Sequence, residues 1–410
     1  MNNLSVGVIV LAAGKGTRMK SNLHKVLHPV GGHAMIKHLL DTVSTLSPER
    51  STIVVGADKA QLEAALTGVD FAVQEPQLGT GHAVMAAKES FAGFAGDVLI
   101  LYGDVPLIRG STLQAMLDAR RSKAAPAAVV LGFTPSDPAA YGRLVKSDEG
   151  ILNRIVEFKD ASADERRITL CNSGVMCVDG AKLFNFLEKL NADNAAGEYY
   201  LTDLVEIANK AGERVLVVEA SETEVCGVNS RSDLAYAESI FQDRMREQAM
   251  AAGATLIDPT SVYFSHDTVV GRDVLIEPNV VFGTGVVIED GVTVKAFSHF
   301  EGAKISSGAV VGPYARLRPG ANIGVGAKIG NFVEIKKSDI EAGAKVSHLS
   351  YIGDTRVGEN ANIGAGTITC NYDGYNKFKT EIGAGAFIGS NTALVAPVTI
   401  GDGAIIGAGS

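Results

Sequence analysis

The chain has 410 residues, a formal net charge of −9 and four cysteines. This length predicts two domains, and the acidic balance argues against general nucleic-acid binding. No apolar stretch reaches membrane-spanning length, and the cysteines show neither metal-ligand nor redox spacing. We therefore expect a cytoplasmic protein with free thiols, acting on small molecules rather than on nucleic acid or a membrane.

The first predicted element is the strand Val6–Leu11, which leads into a loop rich in small residues at positions 12–18. Small residues let a ligand approach the main-chain amides, and Lys15, Arg18 and Lys25 add positive charge around them. No acidic residue occurs in the first 40 positions of this acidic chain. The pattern favours a polyphosphate ligand, and the alternative is a glycine turn with solvated lysines.

Residues 1–228 alternate apolar strands with helical segments. The other predicted strands are Thr52–Val55, Phe71–Val73, Val98–Leu101, Ala127–Phe133 and Val215–Val218, and the predicted helices are Met35–Leu46, Lys59–Leu66, Gly81–Ser90 and Thr112–Arg121. This alternation predicts an α/β fold, with a mostly parallel sheet covered by helices on both faces. Ligands of such sheets bind beyond the carboxyl ends of the strands.

Asp104 is the first carboxylate after the strand Val98–Leu101, in the segment Tyr102-Gly103-Asp104. A carboxylate at this position suits a hard cation such as Mg²⁺, which usually takes only one or two protein oxygens. The alternative is a turn former or a helix cap. The residue alone does not decide between the two.

The segment Leu11–Lys25 resembles the L-x-x-G-x-G-T-R-M motif of sugar-1-phosphate nucleotidyltransferases, with Lys25 at the motif's downstream lysine. The resemblance implies a Rossmann-like domain that transfers a uridylyl group from UTP to a sugar 1-phosphate. It assigns catalytic roles to Arg18 and Lys25. It also implies Mg²⁺ as cofactor, held by Asp104 and by Asn229 of a Gly-Val-Asn segment.

The same resemblance implies the nucleotide- and sugar-binding residues, which are Leu11, Ala12, Ala13, Gly14, Lys25, Gln74, Gly79, Thr80, Tyr102, Gly103, Asp104, Gly142, Glu157, Asn172 and Asn229. Among them, Gln74, Gly79 and Thr80 would read the uracil. Three residues on later loops, Gly142, Glu157 and Asn172, would contact the sugar. The alternatives are a polar loop in which Thr80 caps the next helix, and ordinary turns or caps for the later segments. His82 is assigned to structure, and the segment 197–203 to the pocket wall.

Residues 229–252 read as one helix joining the two domains, with few apolar positions among many charges, and Gly253 ends it. We expect a solvated spacer helix.

From about Val262 aliphatic residues recur every six positions. The series is Ile305, Val311, Leu317, Ile323, Ile329 and Ile335, then Ile382, Ile388, Leu394, Ile400 and Ile406, with an earlier run from Val270 to Val294 shifted by one. A period of six with glycine turns fits neither a helix nor a hairpin sheet, and it predicts a parallel β-helix. Such hexapeptide repeats resemble those of the left-handed β-helix acyltransferases. The expectation that this β-helix is left-handed comes from that resemblance.

The repeat is interrupted at residues 369–380, and loops inserted into a solenoid often build binding sites. His348 lies nearby, and a histidine near neutral pH suits removal of a proton from a substrate ammonium group. The alternative is a structural histidine.

Several segments resemble glucosamine-1-phosphate acetyltransferases: Arg-Pro-Gly at Arg318, Asn-Phe-Val-Glu-Ile-Lys-Lys with Lys336, the His348 segment and residues 362–374. The resemblance implies His348 as the base. It implies sugar-phosphate binding by Arg318, Lys336, Tyr351, Asn362 and Lys377, and an acetyl-CoA site lined by Ala365, Asn371, Tyr372, Ser390 and Ala408. Such sites form between the subunits of a homotrimer.

Both halves in this order resemble the bacterial family of bifunctional N-acetylglucosamine-1-phosphate uridylyltransferases and glucosamine-1-phosphate N-acetyltransferases. We expect a uridylyltransferase domain at 1–228, a linker helix at 229–252 and an acetyltransferase domain at 253–410. Because the array stops in mid-repeat at Ser410, we expect a truncated chain with impaired acetyl transfer. One alternative is a single-activity nucleotidyltransferase whose β-helix only oligomerises or regulates. The other is a non-catalytic rod with a degenerate nucleotide-binding head.

Overall fold

The computed structural model describes residues 5–147 and 149–410. The chain divides into two compact units, Met1–Glu238 and Ser239–Ser410. Within the described residues, no helix is both long enough and apolar enough to cross a membrane.

The first unit is an α/β sandwich. Its strands are β1 (Val6–Leu11), β2 (Pro29–Val30), β3 (His33–Ala34), β4 (Arg50–Val55), β5 (Asp70–Val73), β6 (Asp97–Tyr102), β7 (Ala128–Phe133), β8 (Arg143–Lys146), β9 (Leu152–Val156), β10 (Cys171–Asp179) and β11 (Val215–Ala220). Its α-helices are α1 (Met35–Ser44), α2 (Ala60–Ala65), α3 (Thr80–Ala86), α4 (Gly110–Arg120), α5 (Gly180–Leu187), α6 (Leu204–Lys210) and α7 (Glu222–Val225). Short 3₁₀ turns cover Thr17–Met19, Lys25–Leu27, Glu89–Phe91, Glu165–Arg167 and Leu201–Asp203.

The main sheet has the order β11-β7-β10-β6-β1-β4-β5, and β8 pairs with β9 and β10. Strand β1 lies parallel to β4 and β6, whereas β10 runs antiparallel to both β6 and β7. The predicted mostly parallel α/β sheet is confirmed. The sequence did not predict β10, because the run Asn172-Ser173-Gly174 near its start is not apolar and its register shifts between Asn172 and Met176.

The sheet places the glycine-rich loop beside the predicted metal ligand. Strand β1 is buried along its whole length, and its last residue, Leu11, pairs with Tyr102 at the end of β6. The amide of Gly103 donates to the Leu11 carbonyl at 3.0 Å. The two segments that follow these strands therefore leave the sheet side by side.

A long helix, α8 (Arg231–Ala251), follows the first unit's last loop. Its start forms a capping box, in which the Asp233 carboxylate accepts from the amides of Asn229 and Ser230 at 2.9 Å each. Further along, the buried Gln242 side chain exchanges two hydrogen bonds with the main chain of Phe264, at 2.7 and 2.8 Å. The expectation of a solvated spacer is wrong, because buried residues tether this helix to the chain around it.

The second unit is a parallel β-helix with three faces. The first face holds Thr255–Leu256, Leu275–Ile276, Thr293–Val294, Val310–Val311, Lys328–Asn331, Lys345–His348, Asn362–Ile363, Phe387–Ile388 and Ile405–Ile406. The second holds Val269–Val270, Val287–Ile288, Ala303–Ile305, Ala321–Ile323, Ser338–Ile340, Thr355–Val357, Thr380–Ile382 and Val398–Ile400. The third holds Val281–Phe282, His299–Phe300, Arg316–Leu317, Glu334–Lys336, Tyr351–Gly353, Ile368–Cys370 and Ala393–Val395. Outside the three faces, a short 3₁₀ turn covers Pro259–Ser261.

The residues of the six-residue series form the core of this β-helix. Ile305 pairs with Ile323, and Ile323 with Ile340, so aliphatic side chains stack from coil to coil. The one-residue frame shift lies between Phe300 and Ile305, both fully buried. A shorter corner there keeps both side chains inside the core. The predicted β-helix is confirmed.

Candidate active sites

The glycine-rich loop holds Lys25 in a defined position. Gly16 has φ +61°, and a Cβ at this residue would lie 2.7 Å from the Lys25 Cβ. Only glycine fits there, because any side chain would push the lysine away. Lys25 Nζ then lies 2.5 Å from Asp104 Oδ2 and 3.1 Å from Asn229 Oδ1.

Asp104 and Asn229 are close enough to share one cation, since both oxygens contact the same ammonium nitrogen. A main-chain hydrogen bond of 2.9 Å from the Val228 amide to the Asp104 carbonyl ties the two segments together. One carboxylate and one amide oxygen are the kind of donor set that Mg²⁺ takes from a protein. Within the described residues no group of three or more His, Cys, Asp or Glu side chains could hold a metal, and a magnesium site does not need one. The residues present therefore fit Mg²⁺.

A cleft of about 330 Å³ opens beside this cluster. It is lined by Leu11, Ala12, Ala13, Gly14, Lys25, Val26, Gln74, Gln77, Gly79, Thr80, Ala83, Tyr102, Asp104 and Glu198. Most of the predicted nucleotide-binding residues lie in this lining. Gly103 lies beneath it, and the exposed Arg18 is not part of the lining, so the catalytic role of Arg18 stays a prediction.

Sequence reasoning missed Gln77, whose side-chain amide donates to the carbonyl of Ala13. This contact lies where the cleft adjoins a second one of about 820 Å³. A polar residue three positions after Gln74 was the available signal in the sequence. Its contact with Ala13, 64 positions away, is a tertiary contact that spacing does not show.

The loop before α3 is packed against the segment that we expected to form the pocket wall. Gly79 has φ +110°, and a Cβ there would lie 2.7 Å from the carbonyl oxygen of Tyr199. The Thr80 hydroxyl accepts from the Leu201 amide at 3.1 Å. The alternative in which Thr80 caps α3 does not hold, because the helix begins at Thr80 and its N-cap, Gly79, provides no side chain.

The predicted sugar-binding residues lie together. The Asn172 amide donates to the Gly142 carbonyl at 2.9 Å, and a Cβ at Gly142 would lie 3.4 Å from the Glu157 carboxyl group. Burial raises the pKa of Glu157, although a hydrogen bond from Thr202 opposes this. Asn172 lies on strand β10 and not on a loop as expected.

Tyr102 stands between these residues and the metal ligands. Burial, together with the charges of Asp104 and Glu157, raises the pKa of its phenol, so the hydroxyl stays protonated. Gly174, with φ +90°, lies against the Tyr102 ring, and a Cβ there would come within 2.7 Å of it. The Tyr102 phenol is therefore held between the residues predicted to bind the nucleotide and those predicted to bind the sugar.

In the β-helix, His348 is held by a residue that the sequence did not point out. His348 Nδ1 lies 2.8 Å from Asn331 Oδ1, and the two residues are paired neighbours on the first face. An amide oxygen accepts from Nδ1–H, which leaves Nε2 as the basic nitrogen. Asn331 precedes His348 by 17 residues, one coil of the array, and that spacing was the signal available.

The predicted phosphate-binding cations also converge. The ammonium group of Lys377, from the inserted loop, lies beside Lys336 and lowers the pKa of Lys336. The charge of Arg318 lowers this pKa further. Arg318 is paired with Glu334 at 2.8 Å. Two neighbouring ammonium groups repel each other, so an anion between them would relieve the repulsion. This cluster suits a phosphate.

The residues predicted to bind acetyl-CoA fall into two groups. Ala365, Ser390 and Ala408 lie on successive coils: the Asn391 amide donates to Ala365 at 2.7 Å, and that of Gly409 donates to Ser390 at 2.8 Å. Asn371 and Tyr372 lie in the inserted loop, where Asn371 donates to the Asp354 carboxylate at 2.5 Å. The other predicted sugar-phosphate residues, Tyr351 and Asn362, lie on the third and first faces.

Residues 8–164 match the MobA-like NTP transferase domain family, and residues 267–302 and 379–410 match the bacterial transferase hexapeptide (six repeats) family. The fold and these matches define a nucleotidyltransferase joined to a left-handed β-helix of the hexapeptide transferase class. The chain is 58% identical over 410 residues to the Bifunctional protein GlmU of Paramagnetospirillum magneticum, covering 100% of this chain and 91% of that protein. It is 60% identical over 402 residues to that of Rhizorhabdus wittichii, covering 98% and 89%.

The chain therefore belongs to the family of bifunctional GlmU proteins. The expected union of a nucleotidyltransferase with an acyltransferase in one enzyme is confirmed. A solved structure of UDP-glucose pyrophosphorylase complexed with UDP-glucose is 17% identical, with a TM-score of 0.48, covering 59% of this chain and 99% of that one.

Proposed function

We propose that this enzyme makes UDP-N-acetylglucosamine in two steps. It acetylates glucosamine 1-phosphate with acetyl-CoA, and then transfers the uridylyl group of UTP to N-acetylglucosamine 1-phosphate with release of pyrophosphate. The observation that carries the proposal is the meeting of Lys25, Asp104 and Asn229 at the mouth of a glycine-lined cleft. A second cationic cluster, on the β-helix that also carries His348, supports the acetyl transfer.

The uridylyl step needs positioning and charge neutralisation rather than a covalent nucleophile. A phosphate oxygen of the sugar phosphate attacks the α-phosphorus of UTP, and pyrophosphate leaves. We assign sugar binding to Gly142, Glu157 and Asn172. We assign to Arg18 and Lys25 the stabilisation of the negative charge that develops during transfer. Mg²⁺ held by Asp104 and Asn229 would supply further neutralisation at the phosphates.

In the acetyl step, His348 Nε2 takes a proton from the substrate ammonium group, and the free amine attacks the thioester carbonyl of acetyl-CoA. The carbon–sulfur bond breaks, the nitrogen gives its second proton to the departing sulfur, and CoA leaves as the free thiol. Arg318, Lys336 and Lys377 would hold the sugar phosphate through paired charges. We place both reactions in the cytoplasm, where the four free cysteines would stay reduced.

The two half-reactions test the proposal separately. We expect Mg²⁺-dependent pyrophosphate release from UTP plus N-acetylglucosamine 1-phosphate, and free CoA from acetyl-CoA plus glucosamine 1-phosphate. Because we expect acetyl transfer to be impaired, slow release of CoA that depends on His348 still supports the proposal. Pyrophosphate with no CoA above the background of a His348→Ala variant would favour the single-activity alternative, in which the β-helix only oligomerises or regulates. Neither product would favour the non-catalytic alternative.

We further propose that the enzyme is a homotrimer that covers an aromatic ladder on one corner of the β-helix. Phe297, Tyr314 and Phe332 stack at 5.0 and 5.2 Å between ring centroids, and each is about half exposed, at 51%, 47% and 54%. All three have φ between +54° and +58°, a conformation that costs roughly 1–2 kcal/mol for non-glycine residues. Exposed apolar rings at strained positions suit an interface with a second copy.

The oligomeric state should depend on this ladder. We expect a mass of three chains by light scattering, and a monomer for Tyr314→Asp, because a buried unpaired carboxylate would disfavour the interface. Val269→Asp, at an exposed position of the same β-helix outside the ladder, is the matched control and should remain trimeric. A monomeric wild-type chain would remove the proposed interface.

A further inference from the structure

We propose that His82 makes the enzyme select uracil over cytosine, by fixing which end of the Gln74 side-chain amide faces the base. This inference rests on the uridylyl transfer proposed above. It gives a function to a histidine whose sequence context suggested only a structural role. His82 is a positioning residue, because it acts through Gln74.

The Gln74 amide is held at its nitrogen. The side chain is only 5% exposed and lines the cleft. Its Nε2 donates to the Gly79 carbonyl at 2.9 Å and lies 3.2 Å from His82 Nδ1. Nitrogen must take this position, because an amide oxygen there would face the lone pairs of a carbonyl.

Both neighbours of the amide are themselves fixed. Gly79 reaches its conformation, φ +110°, because it lacks a side chain, and Tyr199 leaves no room for one. His82 lies in the first turn of α3, with the ring of Tyr199 at 6.3 Å between centroids. With Gln74 donating, His82 Nδ1 accepts, and the imidazole proton lies on Nε2.

This arrangement uses both hydrogens of the amide group and leaves Oε1 as the atom available to a base. Oε1 is an acceptor only, so it matches the N3–H donor of uracil. Cytosine presents an unprotonated acceptor at N3, and two acceptors face to face in a buried site repel each other. Without His82, the Gln74 side-chain amide loses one of the two acceptors that hold its nitrogen in place. An amide that has exchanged the positions of its oxygen and nitrogen presents its Nε2 donor to N3 of cytosine.

The ratio of kcat/KM for UTP to that for CTP tests the inference. We expect a wild-type preference for UTP that falls at least about tenfold in His82→Phe, which keeps a ring and removes the acceptor. His82→Asn, whose side-chain oxygen accepts, should retain most of the preference. His266→Phe, in the β-helix, is the matched control and should leave the ratio unchanged.

A His82→Phe variant that loses activity equally with both nucleotides overturns the inference, because only the fold would then depend on this residue. If that variant does not fold, ¹⁵N NMR of the wild-type enzyme labelled at histidine provides the decision. An unprotonated Nδ1 at His82 supports the inference, and a protonated one overturns it. A wild-type enzyme that turns over neither UTP nor CTP contradicts the proposed function instead, at an earlier step.

Discussion

Replacing Asp104 by alanine is expected to lower uridylyl transfer by roughly a thousandfold, because it removes the only charged oxygen that we assign to the metal. The remaining protein donor, the Asn229 amide, is neutral. The same change leaves Lys25 without the carboxylate that it contacts at 2.5 Å. Both the metal and the lysine would then be poorly placed for the phosphates of UTP.

Two measurements identify the cause of this loss. Steady-state pyrophosphate release gives the rate, and electron paramagnetic resonance of Mn²⁺ in the presence of UTP gives metal affinity without turnover. Asp118→Ala, which removes an exposed carboxylate on α4, is the matched control and should change neither. Undiminished turnover in Asp104→Ala would remove this residue from the metal site.

The position of Lys25 adds a condition to this experiment. Its ammonium group contacts the same oxygens of Asp104 and Asn229 that we assign to Mg²⁺. Mg²⁺ and the Lys25 ammonium group compete for the same side-chain oxygens of Asp104 and Asn229. UTP phosphates that attract Lys25 away from these oxygens should therefore strengthen metal binding. Mn²⁺ affinity should therefore be measured with and without UTP, and the difference should shrink in Lys25→Met.

The sequence could predict the strands whose side chains are all buried, because such strands read as unbroken apolar runs. Strand β1 and residues 98–101 of β6 are of this kind, and they place the glycine loop and Asp104 correctly. Strand β10 begins with polar residues that form part of the candidate sugar site. A strand with a polar functional end lacks the pattern on which the prediction depends.

The β-helix could be predicted because each coil repeats the same local requirement, an inward aliphatic residue every six positions. The period therefore predicts which inward residues stack on one another from coil to coil. It does not by itself predict which outward side chains contact one another. The pair Asn331 and His348 lies one coil apart, and recognising it requires the register of the first face, which the structure supplies.

The candidate nucleotide site lies beyond what spacing in the chain can show. Lys25 and Asn229 are 204 positions apart, yet their side chains are in contact. A resemblance to a known motif brought these residues together in the prediction, whereas physical reasoning on each alone left a turn or a cap as the alternative. Gln77 was missed, and the role that we propose for His82 could not be foreseen, because both depend on neighbours that only the folded loop provides.

The second large effect is expected at His348. Replacing it by alanine should lower acetyl transfer by about 10²- to 10⁴-fold, the usual contribution of a positioned general base. Uridylyl transfer, catalysed by the other unit, should be unchanged and serves as an internal control for folding. His299→Ala, an exposed histidine of the same β-helix, is the matched control and should retain acetyl transfer. Release of CoA gives the rate, and normal acetylation by His348→Ala would place the base elsewhere.

Asn331→Ala should have a smaller effect, about 10-fold to 100-fold on kcat, because it leaves the base in place and removes only the acceptor that fixes its tautomer. KM for glucosamine 1-phosphate should change little, since the cations assigned to the phosphate are untouched. Asn331→Asp keeps an acceptor for Nδ1–H and should restore much of the rate. If alanine and aspartate at position 331 behave alike, the hydrogen bond of 2.8 Å to His348 does not act on the base, and its role is only to support the coil.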